Sequence, residues 1–348
     1  MPTGAPPVVA WLPDLTEMLA EHYVSVSSHP TADLHILNYT PRCQFQRAWN
    51  ETTMQCRGLI VDSRGAVAAR PFRKFFNLGE HETPLPAEPF DVFEKMDGSL
   101  GILYWVEGQP AIATRGSFVS EQARWATRHL RERYGGYPFE RPLTYLFEII
   151  YPENRIVVDY AGMADLVLLA VIETATGAEL PLPDAAEVPF PVVQRHDGVA
   201  DIAELLAHTD ANREGFVVRF RESNLRVKVK LAEYLRLHRL ITGVTPLRIW
   251  ESLRAGDSLD ELLERVPDEF QAWVRDTQRG LRDSYAGIEA AAQAAFVDLG
   301  DRRLNAERYK QHAHPFLLFA MLDDKPYADA IWKLLRPAPA PPFRVDEE

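Results

Sequence analysis

Cysteine is nearly missing: the 348 residues hold two, Cys43 and Cys56. Two thiols fall short of a four-cysteine zinc site and form no disulfide framework of a secreted scaffold. Both read as small buried residues. Long apolar runs are missing too. The longest aliphatic stretch, Leu166 to Ile172, is far shorter than the ~20 residues that cross a bilayer. No basic segment leads into an apolar one at the start of the chain, so no secretory leader is expected and the expected location is the cytoplasm, with no membrane partner. Positive charge is outweighed, 38 Lys and Arg against 50 Asp and Glu, a net −12. Such a surface does not coat nucleic acid non-specifically, which takes a basic face. No internal repeat is evident.

What is present is segregated charge. Arg64, Arg70, Arg73 and Lys74 crowd one stretch, and Arg219, Arg221, Arg226, Lys228, Lys230, Arg236 and Arg239 another. Acids lie more in the last third and near 179–214. A local basic groove is compatible with the negative total.

In chain order, Asp14 caps a short helix through Tyr23, and Asp33 to Tyr39 alternates as a strand. Residues 40–56 show no period. Arg57 to Asp62 and Ala66 to Arg70 read as a hairpin around Ser63-Arg64-Gly65. Lys95 ends a strand between Glu94 and Asp97, before a turn at Asp97-Gly98 and a second strand from Leu100. Pro110 to Thr114, Leu143 to Ile150, Arg155 to Asp159 and Asp165 to Glu173 are further strands, with a helix from Val119 to Arg133. Residues 177–198 are a Pro-rich connection before a short helix near 201–208. Glu214 to Phe220 and Leu225 to Lys230 pair as a hairpin. From Ala232 the period is near 3.6, with one stripe through Phe270, Trp273, Val274, Tyr285, Ile288, Ala292 and Phe296. Pro246, Pro267, Pro315 and Pro326 stand where helices start. The spacing therefore predicts an α+β domain over 1–240 and an all-helical domain over 241–348 with a Pro-rich tail.

Six cations fall at or near strand ends: Arg57, Lys74, Lys95, Arg115, Lys228 and Lys230. Lys228 and Lys230, two apart, share one face of a strand while Val227 and Val229 face the core. Glu148 and Glu214 interrupt apolar strands, which is costly for a carboxylate without a partner or metal. A cationic pocket with two fixed carboxylates suits a polyphosphate with Mg²⁺. Lys95, held on a rigid strand end beside a cleft, suits a covalent lysine nucleophile.

Lys95-Met96-Asp97-Gly98 resembles motif I of the covalent nucleotidyltransferases, the polynucleotide ligases and capping enzymes. Phe147-Glu148 resembles motif III, Glu214-Gly215-Phe216-Val217 motif IV, and Lys228-Val229-Lys230 motif V, in order and at fitting spacing. Cys56-Arg57-Gly58, Arg70 to Asn77 and Tyr151 to Val157 are similar to stretches of the T4 RNA ligase 1 family in particular. The resemblance covers roughly residues 37–240. It implies a nucleotidyltransferase domain of ATP-grasp-like antiparallel sheets with flanking helices. It also implies ATP-dependent joining of RNA 5′-phosphate and 3′-OH ends through lysyl-AMP and adenylylated RNA, with Mg²⁺ or Mn²⁺.

Carried over by position, Lys95 is the implied nucleophile and Asp97 orients it or reaches metal through water. Arg57 and Lys74 grip the β- and γ-phosphates, with Glu94 and Arg115 also in the ATP site. Glu148 serves the ribose and metal, Glu214 the metal, and Lys228 and Lys230 the α-phosphate. Arg115 stands where the family pattern has lysine, which keeps charge but changes geometry. A monomer acting on broken RNA such as a nicked tRNA is the family-level expectation. The alternatives are a DNA ligase or capping enzyme, which would carry a five-stranded barrel after Lys230, and a silent nucleic-acid sensor lacking the nucleophile. Singly, the blander readings hold: Lys228 and Lys230 as a solvated strand face, the stripe at 270–296 as core, and His312 and His314 as surface residues.

Overall fold

The structure, a computed structural model, describes residues 9–80, 84–210, 212–235, 238, 245–259, 263 and 268–337, the side chains of 268–273 excepted. The chain divides into two compact units, Met1–Ile241 and Thr242–Glu348. Among the described residues no helix is long and apolar enough to cross a membrane.

The first unit is built on three sheets. In the first, β1 (Val24–Ser28), β2 (His35–Tyr39), β3 (Arg57–Val61) and β4 (Val67–Ala69) run antiparallel in that order. The second has the order β11-β10-β9-β7-β8, with β7 Ser99–Val106, β8 Gln109–Thr114, β9 Leu143–Ile150, β10 Asp165–Glu173 and β11 Glu179–Leu180. The third has the order β12-β6-β13-β14-β5, with β5 Phe76–Asn77, β6 Phe90–Lys95, β12 Arg195–His196, β13 Gly215–Phe220 and β14 Arg226–Lys230.

The second sheet is covered on both faces, which explains why β9 and β10 are nearly continuous in apolar residues. On one face Ala126, Leu130 and Tyr134 of helix α4 (Glu121–Tyr134) pack on Leu103, Ile112, Phe147 and Ile149. On the other, Ile36, Ile60 and Ala69 of the first sheet meet Ile102, Leu146 and Ala170. The third sheet alternates instead. Phe216, Val218, Phe220, Val227 and Val229 are buried, and the intervening residues face the other way.

Several sequence expectations are corrected. The strands on either side of Lys95 do not pair with one another; Asp97-Gly98 carries the chain from the third sheet to the second. The first helix, α1 (Leu15–Ala20), ends short of Tyr23, and the Asp14 side chain makes no cap bond. Residues 40–56 hold two short helices, α2 (Pro41–Gln46) capped by Thr40 and α3 (Glu51–Gln55) with a capping box from Asn50 and Thr53. The connection 177–198 contains β11 and β12. Residues 155–159 form no strand, because the amides of Val157 and Val158 are bound by the Asp97 carboxylate instead of a neighbouring strand. Helix α5 (Ile202–Leu206) follows β12.

The regular elements among the described residues of the second unit are helices: α6 (Pro246–Ala255), α7 (Asp268–Ala295), α8 (Arg302–Tyr309), α9 (Pro315–Leu322) and α10 (Ala328–Leu334). Pro246 and Pro315 stand in the first turns of α6 and α9, where the missing N–H is harmless. Ala292, Tyr309, Leu317, Leu318 and Ile331 form its core, with Tyr285, Ile288 and Phe296 against it. Pro267 and the side chains of Phe270 and Trp273 lie outside the described residues.

Candidate active site

Three strands of the third sheet set the centre of the site. Gly215 at the start of β13 is opposite Lys95 of β6 on one side and Lys230 of β14 on the other. Glu214 immediately precedes it. Its Oε1 accepts from Lys95 Nζ at 2.7 Å and from Lys230 Nζ at 2.8 Å. One buried oxygen thus joins two ammonium groups. Burial alone raises the Glu214 carboxyl, but Lys230 and Lys95 overcome this and hold it below its ordinary value. Gly215 has φ +147°, and a Cβ there would lie 2.0 Å from the Val229 carbonyl oxygen. The lysine-glutamate-lysine junction therefore depends on a glycine beside it.

The loop after Lys95 is pinned from several directions. Asp97 is buried; its Oδ2 accepts from the Val157 and Val158 amides, both at 2.8 Å, and its Oδ1 from the Tyr234 hydroxyl at 2.7 Å. The Asp97 amide donates to the Tyr160 hydroxyl at 2.7 Å. Both Asp97 carboxylate oxygens are thereby engaged by donors of this chain. Gly98 passes so close to β9 that a Cβ would lie 2.6 Å from the Ile149 carbonyl oxygen. Its amide donates to Glu148 Oε1 at 2.9 Å.

Glu148 is the buried group of unusual acidity. Burial above all, with the neighbouring Glu214 and Asp97 carboxylates, pushes its carboxyl up to about 8 against the opposing pull of Lys95 and the Gly98 amide. The folded carboxyl keeps its proton well above the value of 4.5 from which it starts. The folded protein therefore binds the extra proton between those limits, and stability falls as pH rises through that window. The slope is at most about 1.4 kcal/mol per pH unit. In metal-free buffer, thermal unfolding is expected at a lower temperature at pH 8 than at pH 5, and Glu148→Gln is expected to remove that difference. An equal drop in both proteins would count against this origin.

The remaining cations share aromatic rings in pairs. Arg57 and Lys228 both lie over Phe75, at 5.3 and 5.2 Å from its centre. Lys74 and Arg115 both lie over Tyr39, each at 5.2 Å. Arg115 Nη1 also donates to the Tyr39 hydroxyl at 3.0 Å. Lys74, only 4% exposed, has two further rings around it, Trp49 at 5.1 Å and Phe76 at 5.4 Å. Rings attract and orient ammonium and guanidinium groups without neutralising them, so positive charge is concentrated around these two rings. Gly58, at φ +92°, lets β3 approach the Arg115 backbone, where a Cβ would lie 3.1 Å from Arg115 Cα.

All six cations named from the sequence are thus linked through shared partners or neighbouring strands. Glu94 is not. One residue before Lys95 it faces the opposite side of the sheet, where its carboxylate meets His196 Nε2 at 2.9 Å and Arg213 Nε at 3.3 Å. Sequence reasoning missed Tyr39, Trp49, Phe75, Tyr160 and Tyr234.

A family model described as RNA ligase, of the T4 RNA ligase 1 type, matches residues 55–234. The chain belongs to the T4 RNA ligase 1 family. A Thermovibrio ammonificans relative is 34% identical over 206 residues, covering 54% of each chain. The RNA ligase of Rhodothermus phage RM378 is 23% identical over 343 residues, covering 76% of each. The chain thus spans about half the length of its Thermovibrio relative and three quarters of the phage ligase. Among solved structures, an archaeal ATP-dependent RNA ligase is 18% identical over 86% of this chain and 85% of that one, at a TM-score of 0.46.

The family implies a divalent cation, and the residues fit one. Glu148 is a buried carboxylate whose single hydrogen bond among the described residues comes from Gly98, beside a second buried carboxylate, Glu214. Among the described residues no cluster of three or more His, Cys, Asp or Glu could hold a metal. The pair Glu148 and Glu214 suits Mg²⁺, which keeps water and phosphate oxygens in its shell beside one or two protein carboxylates.

Proposed function

We propose that this chain is an ATP-dependent RNA ligase that works through a lysyl-AMP intermediate. The observation that carries this reading is the meeting of Lys95 and Lys230 on one oxygen of buried Glu214. A lysine so placed is fixed in direction, while its partner charge can be exchanged for phosphate.

In the first step Lys95 Nζ attacks the α-phosphorus of ATP, the bond to the bridging oxygen breaks, and pyrophosphate leaves. The proton on Lys95 is held by Glu214 Oε1 and has to be given up before attack. Lys230 then faces the α-phosphate oxygens, and Lys228 and Arg57 around Phe75 extend the positive charge. Lys74 and Arg115 around Tyr39 serve the departing phosphates. Glu148 and Glu214 would hold Mg²⁺ or Mn²⁺, which when bound neutralises charge on phosphate oxygens. In the second step an oxygen of the RNA 5′-phosphate attacks the same phosphorus, and the P–N bond to Lys95 breaks. In the third, a 3′-oxygen attacks the 5′-phosphorus and AMP leaves. The contribution of the protein is positioning and fixed charge.

This reading extends to a monomer of the cytoplasm that mends broken RNA, a nicked tRNA among its candidates. Two buried free thiols, Cys43 and Cys56, suit a reducing compartment. Among the described residues, helices and no barrel strands follow Lys230, which favours RNA over duplex DNA as substrate.

The test offers 5′-phosphorylated RNA, the same sequence as DNA, and a nicked DNA duplex, each with ATP and Mg²⁺. Sealed RNA with release of AMP is expected, at a rate well above either DNA. Sealing of the nicked duplex alone would move the chain to the DNA ligases.

A further inference from the structure

Helix α4 carries a second basic face, away from the lysines. Arg124, Arg128 and Arg131, spaced four and three apart, are exposed and line one side of a groove of about 470 Å³. That volume is in the range of clefts that hold a nucleotide-sized group, roughly 300–1,000 Å³. Its floor is aromatic: Tyr104 of β7 and Phe118 stand edge to face at 5.1 Å, and His29 meets Phe118 at 4.9 Å. Among the described residues, the Arg124 and Arg128 side chains have no hydrogen-bond or ion-pair partner, whereas Arg131 donates to the Pro110 carbonyl. Glu132 also lines the groove and Glu107 lies within electrostatic reach of His29, so the acids there are fewer than the arginines.

The groove is joined to the active site by a short piece of chain. Arg115 lies over Tyr39, and three residues on Phe118 enters the groove floor. On either side of this stretch, Thr114 and Ser120 share a hydroxyl contact at 3.2 Å, and Ser120 caps α4 through the Ala123 amide. From Arg124 to Arg131 the helix advances about 10 Å. Guanidinium groups in a row over aromatic edges are the chemistry of backbone-directed binding to a single strand. On a chain of net −12, uncommitted arginines gathered in one concavity select for an anionic partner.

We infer that the groove between α4 and the His29-Tyr104-Phe118 cluster binds the phosphodiester backbone of single-stranded RNA outside the adenylyl-transfer site. This rests on the RNA-ligase reading above. It assigns the arginines to holding the strand and not to reaction with ATP.

The experiment uses the full chain and a short 5′-phosphorylated single-stranded RNA. Arg124→Gln with Arg128→Gln is compared with wild type and with Arg42→Gln and Arg64→Gln, the same charge change elsewhere. Three quantities are read: lysyl-AMP yield, RNA affinity and its dependence on salt. The groove variant is expected to form lysyl-AMP at the wild-type level and to bind RNA roughly tenfold more weakly. Its log–log salt slope should flatten by about 1.4, at about 0.7 per lost phosphate contact. Affinity and slope matching wild type or the control variant would overturn the inference. Failure of wild type to form lysyl-AMP would instead remove the ligase reading. Arg128→Glu provides a second variant, expected to weaken RNA binding further while leaving lysyl-AMP unchanged.

Discussion

Lys95→Ala is expected to abolish the covalent AMP adduct and to lower sealing by at least about 10⁴-fold, while the protein still folds. The proposed P–N bond is made by the Lys95 amine itself, and a neighbouring charge does not replace it. Folding survives because Glu214 keeps its second partner, Lys230, at 2.8 Å. Lys95→Arg sharpens the result. Arginine preserves the positive charge opposite Glu214 but stays protonated and does not attack. It should therefore give an equally empty adduct band in a denaturing gel after incubation with ATP labelled at the α-phosphate. A labelled band of wild-type strength in either variant would move the nucleophile elsewhere and with it the whole assignment. If the RNA already carries a 5′-adenylate, the last step bypasses Lys95. Both variants are expected to retain measurable joining of that substrate, which separates loss of a nucleophile from loss of the fold.

How far the sequence carries this site depends on whether each signal is local. Lys95 at a strand end, Glu148 amid apolar residues, and Lys228 and Lys230 on one strand face are all consequences of period two. They need only a few neighbouring residues to be read. The pairing of those strands is different. β6 and β7 are separated by three residues and look like a hairpin, yet each is hydrogen-bonded in a different sheet. Alternation identifies a strand but not its partner. The loop 155–159 misleads for a related reason. Its apolar residues suggest a strand, but its amides satisfy Asp97, some 60 residues earlier in the chain. The aromatic surroundings of Lys74 come from β2, the turn before α3, and β5, and no spacing in the sequence connects them. Helices α2 and α3, of six and five residues, are too short to show a 3.6-residue period. Their caps were the available signal: Thr40 before Pro41, and Asn50 three residues before Thr53. The helical second unit was legible because its repeat runs over many turns.

Glu214 separates two kinds of loss, and its variants are expected to differ from those of Lys95. In Glu214→Ala the shared oxygen is gone, and two ammonium groups that met within 2.8 Å of it lose that carboxylate. Lys230 is 8% exposed in its side chain, so water compensates poorly. Breaking one side of a buried ion pair in this way costs about 3–5 kcal/mol, and a large fall in unfolding temperature is expected along with loss of the adduct. Glu214→Gln keeps the shape and one carbonyl acceptor for a lysine, so a smaller fall in stability is expected. It removes the charge that holds Lys95 and the oxygen donor offered to a divalent cation, so adduct formation should still drop by roughly 10²–10³-fold. Adding Lys230→Met to Glu214→Ala removes one of the two stranded charges, and should recover part of the stability but none of the activity. The measurements are denaturant unfolding and the rate of lysyl-AMP formation on the same three proteins. Near-wild-type stability in Glu214→Ala would show that the three-residue junction holds nothing together. Wild-type adduct rates in Glu214→Gln would show that its charge plays no part in presenting Lys95 to the nucleotide.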